Sequence, residues 1–235
     1  MIDKTVATCS EAVAQVFDGA TILCGGFAAP GIPGRLIDAI RERGVKDLVV
    51  VSNGSGADDV AVAGLILDGR VRKLVASFPN NKGGWAFQER YLKGEIELEL
   101  VPQGTLIERI RAAGAGIGGF FTPTAAGTEL AAGKETRMIN GKLHVLEAPL
   151  HGDFALIKAY KGDRLGNLTY RLSMRNFNPA VATAAKVVIA EVDELVPVGS
   201  LPLEEIHTPG IFVDAVVKVE RHPRLFEPQR IRRAK

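Results

Sequence analysis

The sequence is poor in what a metal, redox or secreted scaffold needs. It has two cysteines, Cys9 and Cys24, and four scattered histidines, with no C-x-x-C and no H-x-x-x-H pair. That argues against a zinc site, and such low cysteine usage fits a reducing, cytoplasmic compartment. The N-terminal stretch has no apolar core after a basic start, so no signal peptide is expected. No apolar run approaches the roughly 18–20 residues of a membrane span. A dinucleotide fingerprint would need glycines at 25, 27 and 30, and those positions hold Gly25, Phe27 and Pro30. Gly127 to Gly133-Lys134 is one residue too long for a phosphate loop, and Glu135 stands where that loop needs Ser or Thr. No serine sits in a G-x-S-x-G elbow. No linker rich in Pro, Ser or charge divides the chain, and no repeat recurs at a fixed period.

The net charge of +2, from 29 Lys+Arg and 27 Asp+Glu, is unevenly spread. From Lys218 onward seven basic residues face only Glu220 and Glu227, so the tail carries +5 and residues 1–217 carry −3. A mildly acidic body argues against a nucleic-acid-binding domain. Residues 1–219 are read as one domain and 220–235 as a basic extension, solvated or docked on another polypeptide.

Glycine is abundant: 26 of 235 residues, against roughly 7% in ordinary proteins. Many punctuate an alternation of strand and helix signals. Thr8 and Glu11 form a capping box for a helix over 9–16. The run 20–24 is a short strand, Pro33 opens a helix and Gly44 stops it. Strands are expected at 48–51, 71–77 and 96–101, helices at 60–67, 85–92 and 106–113, and a turn at 52–56. This βα alternation predicts an α/β fold: an open, mainly parallel sheet with helices on both faces. The loops after its strands, holding Gly25, Asn53, Phe78 and Gln103, should then gather along one edge. After Gly114 the chain turns β-rich. Asn140-Gly141 marks a tight hairpin, 154–160 and 167–171 a second one, and 186–192 and 211–219 later strands.

Three features carry chemistry. Gly25-Gly26-Phe27, continuing to Gly31 and Pro33, lies between a strand and a helix; it suits either a ligand loop at an anion-favouring helix end or a plain tight turn. Asn53 and Gln103 are amides at strand ends, where a donor can hold an oxyanion; equally, Asn-Gly is ordinary in turns and Gln103 could cap a helix. The carboxylates Glu129, Glu147, Asp153 and Glu191 have no motif that selects them.

Together these segments resemble the alpha (A-type) subunit of the family I coenzyme A transferases. The resemblance is carried by Asp18-Gly19, Gly25-Gly26-Phe27, Gly31 and Pro33. It continues in order through Val51-Ser52-Asn53, Val101-Pro102-Gln103-Gly104-Thr105-Leu106, Gly114-Ala115-Gly116, Phe121-Thr122-Pro123-Thr124 and Gly152-Asp153-Phe154. Gly166-Asn167-Leu168, Arg175-Asn176-Phe177-Asn178 and Thr208-Pro209-Gly210 complete it, over about residues 3–219. It implies transfer of CoA between carboxylates without a metal or resident cofactor, the CoA thioester being a substrate. A glutamate attacks the thioester, an acyl-glutamyl anhydride forms, and CoA then sits on the glutamate before passing on. In two-chain members that glutamate belongs to the beta (B-type) subunit, in a Ser-Glu-Asn-Gly or Glu-x-Gly type motif, and this sequence has neither. The resemblance thus implies a CoA-transferase beta subunit as partner, in an α2β2 heterotetramer, and substrates that are small carboxylic acids and acyl-CoA. It assigns acyl-oxygen or acid contacts to Asn53 and Gln103, and a loop floor to Gly25, Gly26, Phe27 and Gly31, with Gly104 beside them. The segment Ser77-Phe78-Pro79 looks like 3-oxoadipate enzymes, whereas Leu172-Ser173 before Met174 looks like acetoacetate enzymes. Lys82 could hold a second substrate carboxylate or be an ordinary surface lysine. Succinyl-CoA or acetyl-CoA is the expected donor and a 3-oxo acid the acceptor. Two rivals stay open: a non-catalytic binding or sensor domain of the same fold, and a self-sufficient hydrolase or isomerase using Ser55 or Glu147.

Overall fold

The structure, a computed structural model, describes residues 2–80 and 83–226, so most of the basic extension over 220–235 lies outside the described residues. Its elements run β1 (Thr5–Val6), α1 (Cys9–Ala12), β2 (Thr21–Cys24), α2 (Gly34–Arg43), β3 (Leu48–Gly54), α3 (Val62–Leu67), β4 (Val71–Phe78), α4 (Trp85–Leu92), β5 (Glu97–Leu100) and α5 (Gln103–Gly114). Then follow β6 (Phe120–Thr122), β7 (Thr136–Ile139), β8 (Lys142–Glu147), β9 (Gly152–Asp163), β10 (Leu168–Thr169), α6 (Asn178–Val181), β11 (Ala185–Val196) and β12 (Ala215–Lys218).

The main sheet has the order β1-β12-β11-β9-β2-β3-β4-β5, and every neighbouring pair along it is parallel. Its central strands are buried on both faces, which is why Leu48–Val51 reads as an unbroken apolar run. Alternate residues feed two cores. Ile22, Val50, Leu74 and Leu156 pack under Leu36, Ile37 and Ile40 of α2 and Leu65 and Ile66 of α3. Leu23, Val51, Val75 and Ile157 pack under Leu106 and Ile110 of α5 and Val181 of α6. Helices therefore cover both faces, as the alternation predicts. The β-rich half supplies the long parallel pair β9–β11 and a separate antiparallel sheet, β6-β8-β7. Both hairpins form: β10 pairs antiparallel with β9, and the β7–β8 turn places Asn140 and Gly141 at φ 49° and 75°, the primed geometry that Asn-Gly favours.

Several boundaries differ from the sequence reading, among them the start of α5, which takes in Gln103, and three others have a local cause. Residues 52–54 extend β3 instead of turning, because β4 beside them pairs Ser52 with Ala76 and Gly54 with Phe78. The strand expected over 211–219 shrinks to β12, because Lys4 draws the Gly210 and Val213 carbonyls into its ammonium at 2.7 and 2.6 Å and holds that stretch in a turn. The first helix stops at Ala12. Thr8 caps it as expected, accepting the Glu11 N–H at 3.1 Å, but the Glu11 carboxylate takes the N–H of Ala7 at 3.0 Å instead of that of Thr8.

The Glu191 carboxylate on β11 is 2% exposed and accepts the Leu36 N–H in the first turn of α2 at 3.0 Å. Burial pushes its pKa up to about 6, against the pull of Lys158 and the helix amides. A raised folded-state value favours folding at low pH and withdraws that contribution as pH rises through about 6. Glu191→Gln, which keeps an acceptor without the charge, should therefore flatten the stability profile. Relative to the wild type it should gain on the order of 2 kcal/mol between pH 4.5 and 7 in urea unfolding, whereas parallel profiles would show that burial does not strain this charge.

Candidate active site

Because the main-sheet strands run the same way, the ends of β2, β3, β4 and β5 lie along one edge. Asn53 and Gln103, fifty residues apart, meet there: Gln103 Nε2 donates to Asn53 Oδ1 at 2.7 Å. Ser77 Oγ donates to the same oxygen at 3.0 Å and also lies 3.0 Å from the Asn53 backbone carbonyl. With Oδ1 held from two sides, the Asn53 side chain has one orientation and its Nδ2 donor has no partner among the described residues. Gln103 is exposed and keeps a second N–H free, so the pair presents fixed donors at the strand ends.

Gln103 is also the first residue of α5, and its side chain caps nothing. The backbone N–H groups of Gln103, Gly104 and Thr105 have no acceptor among the described residues; the first helical bond is Leu106 N–H to Pro102 at 2.8 Å. The buried Thr105 hydroxyl in the same turn is unpartnered too. A free helix end of this kind favours an anion. The sequence reading assigned that property to the helix after the glycine loop, but the end of α2 is already occupied by Glu191.

The glycine loop itself is built around Asn178. This side chain, 0% exposed, accepts the Lys158 N–H at 3.0 Å and donates to the carbonyls of Gly31 at 3.0 Å and Met174 at 2.8 Å. A Cβ on Gly25 would lie 1.8 Å from Asn178 Oδ1, and one on Gly31 2.6 Å from Asn178 Nδ2. These glycines are small because their own chain approaches them. Gly26 packs against Ile32. Phe27 is 46% exposed, and Phe78 at the end of β4 is 59% exposed. Lys82 lies outside the described residues.

The alternative nucleophiles are otherwise engaged. Ser55 is buried and donates to the Pro79 carbonyl at 2.6 Å. Glu147 is buried against Lys134 at 2.7 Å and Arg109 at 3.9 Å. Asp153 accepts from Thr21 N–H and pairs with Lys186, both at 2.9 Å. Burial raises Cys9 to about 11 and Cys24 to about 12, so neither is a thiolate near neutral pH. Sequence reasoning missed Ser77 and Asn178 as positioning residues. The signal for each was its place beside a chemistry-bearing segment, one at the end of β4 and one in Arg175-Asn176-Phe177-Asn178.

Residues 6–219 match the family model described as Coenzyme A transferase. The chain is 55% identical over 219 residues to the A-type subunit of 3-oxoadipate CoA-transferase from Pseudomonas putida, covering 93% of this chain and 95% of that one. It is 47% identical over 234 residues to the A-type subunit of succinyl-CoA:3-ketoacid coenzyme A transferase from Helicobacter pylori J99, covering all of both. Among solved structures it superposes on an acyl-CoA transferase of Escherichia coli O157:H7 with a TM-score of 0.81 at 20% identity, covering 96% of this chain and 49% of that one.

Gly104 stands apart from the loop glycines. Its backbone is ordinary helix, and a Cβ there would meet nothing within 4 Å. Glycine costs a helix up to about 1 kcal/mol relative to alanine, and nothing in the described residues requires it. Gly104→Ala should thus leave the isolated chain as stable or up to about 1 kcal/mol more stable in urea unfolding, yet slow the reaction assembled over it at least tenfold. A stability loss, or unchanged turnover, would contradict an external group approaching this position.

Proposed function

This chain belongs to the coenzyme A transferase family, and from that premise we propose that it is the alpha subunit of a two-chain enzyme moving CoA from succinyl-CoA to a 3-oxo acid. The relatives it matches are named as one lettered subunit of their enzymes, which implies a second. We place 3-oxoadipate first among acceptors, because identity is higher to the relative named for it, with acetoacetate as the other 3-oxo acid to test. The observation that carries the reading is the Gln103–Asn53 amide pair beside the open end of α5.

In this scheme the nucleophilic glutamate comes from the beta subunit. Its carboxylate adds to the succinyl-CoA carbonyl, the C–S bond breaks, and an acyl-glutamyl anhydride and CoA thiolate result. The thiolate then attacks the glutamyl carbonyl and succinate leaves. The acceptor acid repeats the sequence in reverse and departs as its CoA thioester. Each addition puts negative charge on an acyl oxygen. Asn53 Nδ2 and the free Gln103 N–H are the donors for it, held in place beforehand by Ser77, so little reorganisation is needed as the charge develops. The α5 amides add a fixed positive end. The glycine loop, braced by Asn178, walls the site without contributing a reacting group. Exposed Phe27 and Phe78 offer the second polypeptide an apolar seat beside it. We further propose an α2β2 assembly acting in the cytoplasm, where both thiols stay free, with no resident cofactor.

The test is reconstitution. Neither polypeptide by itself should transfer CoA, and the co-purified pair should do so with a 3-oxo acid. Gln103→Ala should lower turnover by roughly 10²–10³-fold, the cost of losing one such donor, while the complex elutes intact. Turnover within threefold of wild type would remove Gln103 from this role, and no transfer to any short acid or 3-oxo acid would overturn the function.

A further inference from the structure

Helix α5 opens with donors that the chain itself does not use. The backbone N–H groups of Gln103, Gly104 and Thr105 have no acceptor among the described residues. Thr105 is 3% exposed, yet its hydroxyl has no partner either. Native interiors seldom leave such a group unpaired. The Cα–Cβ bonds of a helix tilt toward its N-terminus, so this side chain is turned back toward the open end. The residues that usually close such an end are missing: Pro102 stands at the cap position, and the first turn holds no acidic residue. Gly104 leaves room for an approach, since nothing lies within 4 Å of the place its Cβ would take.

The same molecule shows what closes a helix that starts in this way. Helix α2 also has proline at its cap position and no side-chain cap, and there a carboxylate, Glu191, comes across from β11 to take the Leu36 N–H at 3.0 Å. Among the described residues, no carboxylate does this for α5.

The amide pair fixes what the open end can reach. Asn53 alternates in step with Val51, which packs with Leu106 of α5, so the pair and the helix end lie on one face of the sheet. An acyl oxygen has two lone pairs, and Asn53 Nδ2 and the free Gln103 side-chain N–H supply a donor for each. The three backbone N–H groups and the Thr105 hydroxyl are left over. A carboxylate, with roughly four acceptor positions, can use them. The spacing agrees. The Gln103 backbone nitrogen and Nε2 are separated by as many bonds as the acyl oxygen of a succinyl group and an oxygen of its far carboxylate. An extended acyl-CoA carries its phosphates a whole pantetheine arm from the thioester, whereas α5 opens one glutamine side chain from it.

We propose that the open end of α5 is the specificity site for the second carboxylate of a dicarboxylic substrate, in the succinyl donor and in a 3-oxo dicarboxylic acceptor such as 3-oxoadipate. The proposal rests on the CoA-transferase reading for the position of the reacting carbonyl. It gives to Gln103, Gly104 and Thr105 the contact that the sequence reading offered to Lys82. An acid with one carboxylate leaves these donors unfilled, and a site built to hydrogen-bond a group rejects the analogue that lacks it.

Two measurements on the co-purified complex test this. One is calorimetric titration with succinate and with butanoate, in which a methyl group replaces the second carboxylate. The other is kcat/KM for 3-oxoadipate and for acetoacetate. Succinate should bind more tightly than butanoate by roughly tenfold or more, as for a hydrogen bond to a charged group. Thr105→Val keeps the shape of the side chain, and because the hydroxyl has no partner in the chain it costs the fold no hydrogen bond. It should erase most of the succinate preference and lower the ratio of kcat/KM for 3-oxoadipate to that for acetoacetate by roughly tenfold or more. Thr105→Ser should keep both near wild type. Equal losses for the two acids, an unmoved ratio, weaker binding of CoA itself, or a ratio that follows Lys82→Ala in place of Thr105→Val would overturn the proposal. A complex that transfers CoA to no acid would overturn the transferase reading, and the two titrations then decide this proposal alone.

Discussion

One buried side-chain amide organises the loop edge of this molecule. Asn178 ties β9, the glycine loop and the 172–175 turn together through three hydrogen bonds, and it does so at a fully buried position. The Lys158 N–H and the Gly31 carbonyl would otherwise be a buried donor and a buried acceptor without a partner, at about 1–3 kcal/mol apiece. The requirement works back on the sequence. Gly25 and Gly31 leave no room for a Cβ because the amide lies against them. The loop is therefore a rigid wall, and the glycines measure how tightly it is packed, not how freely it moves.

Around that brace the charges divide two helix ends between two tasks. The α2 end is closed by Glu191, itself paired with Lys158, so it is already neutralised and attracts no substrate. The α5 end is open, and beside it the Ser77–Asn53–Gln103 chain fixes the amide donors. Neutralising one end and leaving the other free decides where a developing negative charge is stabilised. Among the described residues this arrangement presents donors but no free nucleophile: Ser55 and Glu147 are buried and partnered, Cys24 is buried, and partial burial keeps the Cys9 thiol protonated. Half a site of this kind suits a chain whose relatives are named as a subunit of their enzymes.

The alternation of strands and helices was legible because it rests on short-range periodicity and on turn residues such as Asn140-Gly141 and Gly44. The meeting of Asn53 and Gln103 was legible too, since parallel strands must end on one edge. What was not legible depends on contacts between distant residues. Ser52–Gly54 looks like a turn until β4 is laid beside it. Nothing local distinguishes Asn178 from any other helix-start asparagine, or Ser77 from a strand-end serine. Glu191 sits 155 residues from the amide that it caps, so the sequence offers no reason to take an anion-favouring end away from α2. The glycine excess was visible, but its cause in the loop was a side chain more than a hundred residues downstream.

The claim that Asn178 dictates the loop is tested most directly by a double-mutant cycle between Gly25→Ala and Asn178→Ala, read as unfolding free energies in urea. Each single change should destabilise the chain. Because the added Cβ clashes only with the amide that the second change removes, the pair should cost at least about 1 kcal/mol less than the sum, well outside the few tenths expected of independent sites. Additive costs would contradict the account: Gly25 would then be glycine for some other reason, and the loop would not be built around Asn178.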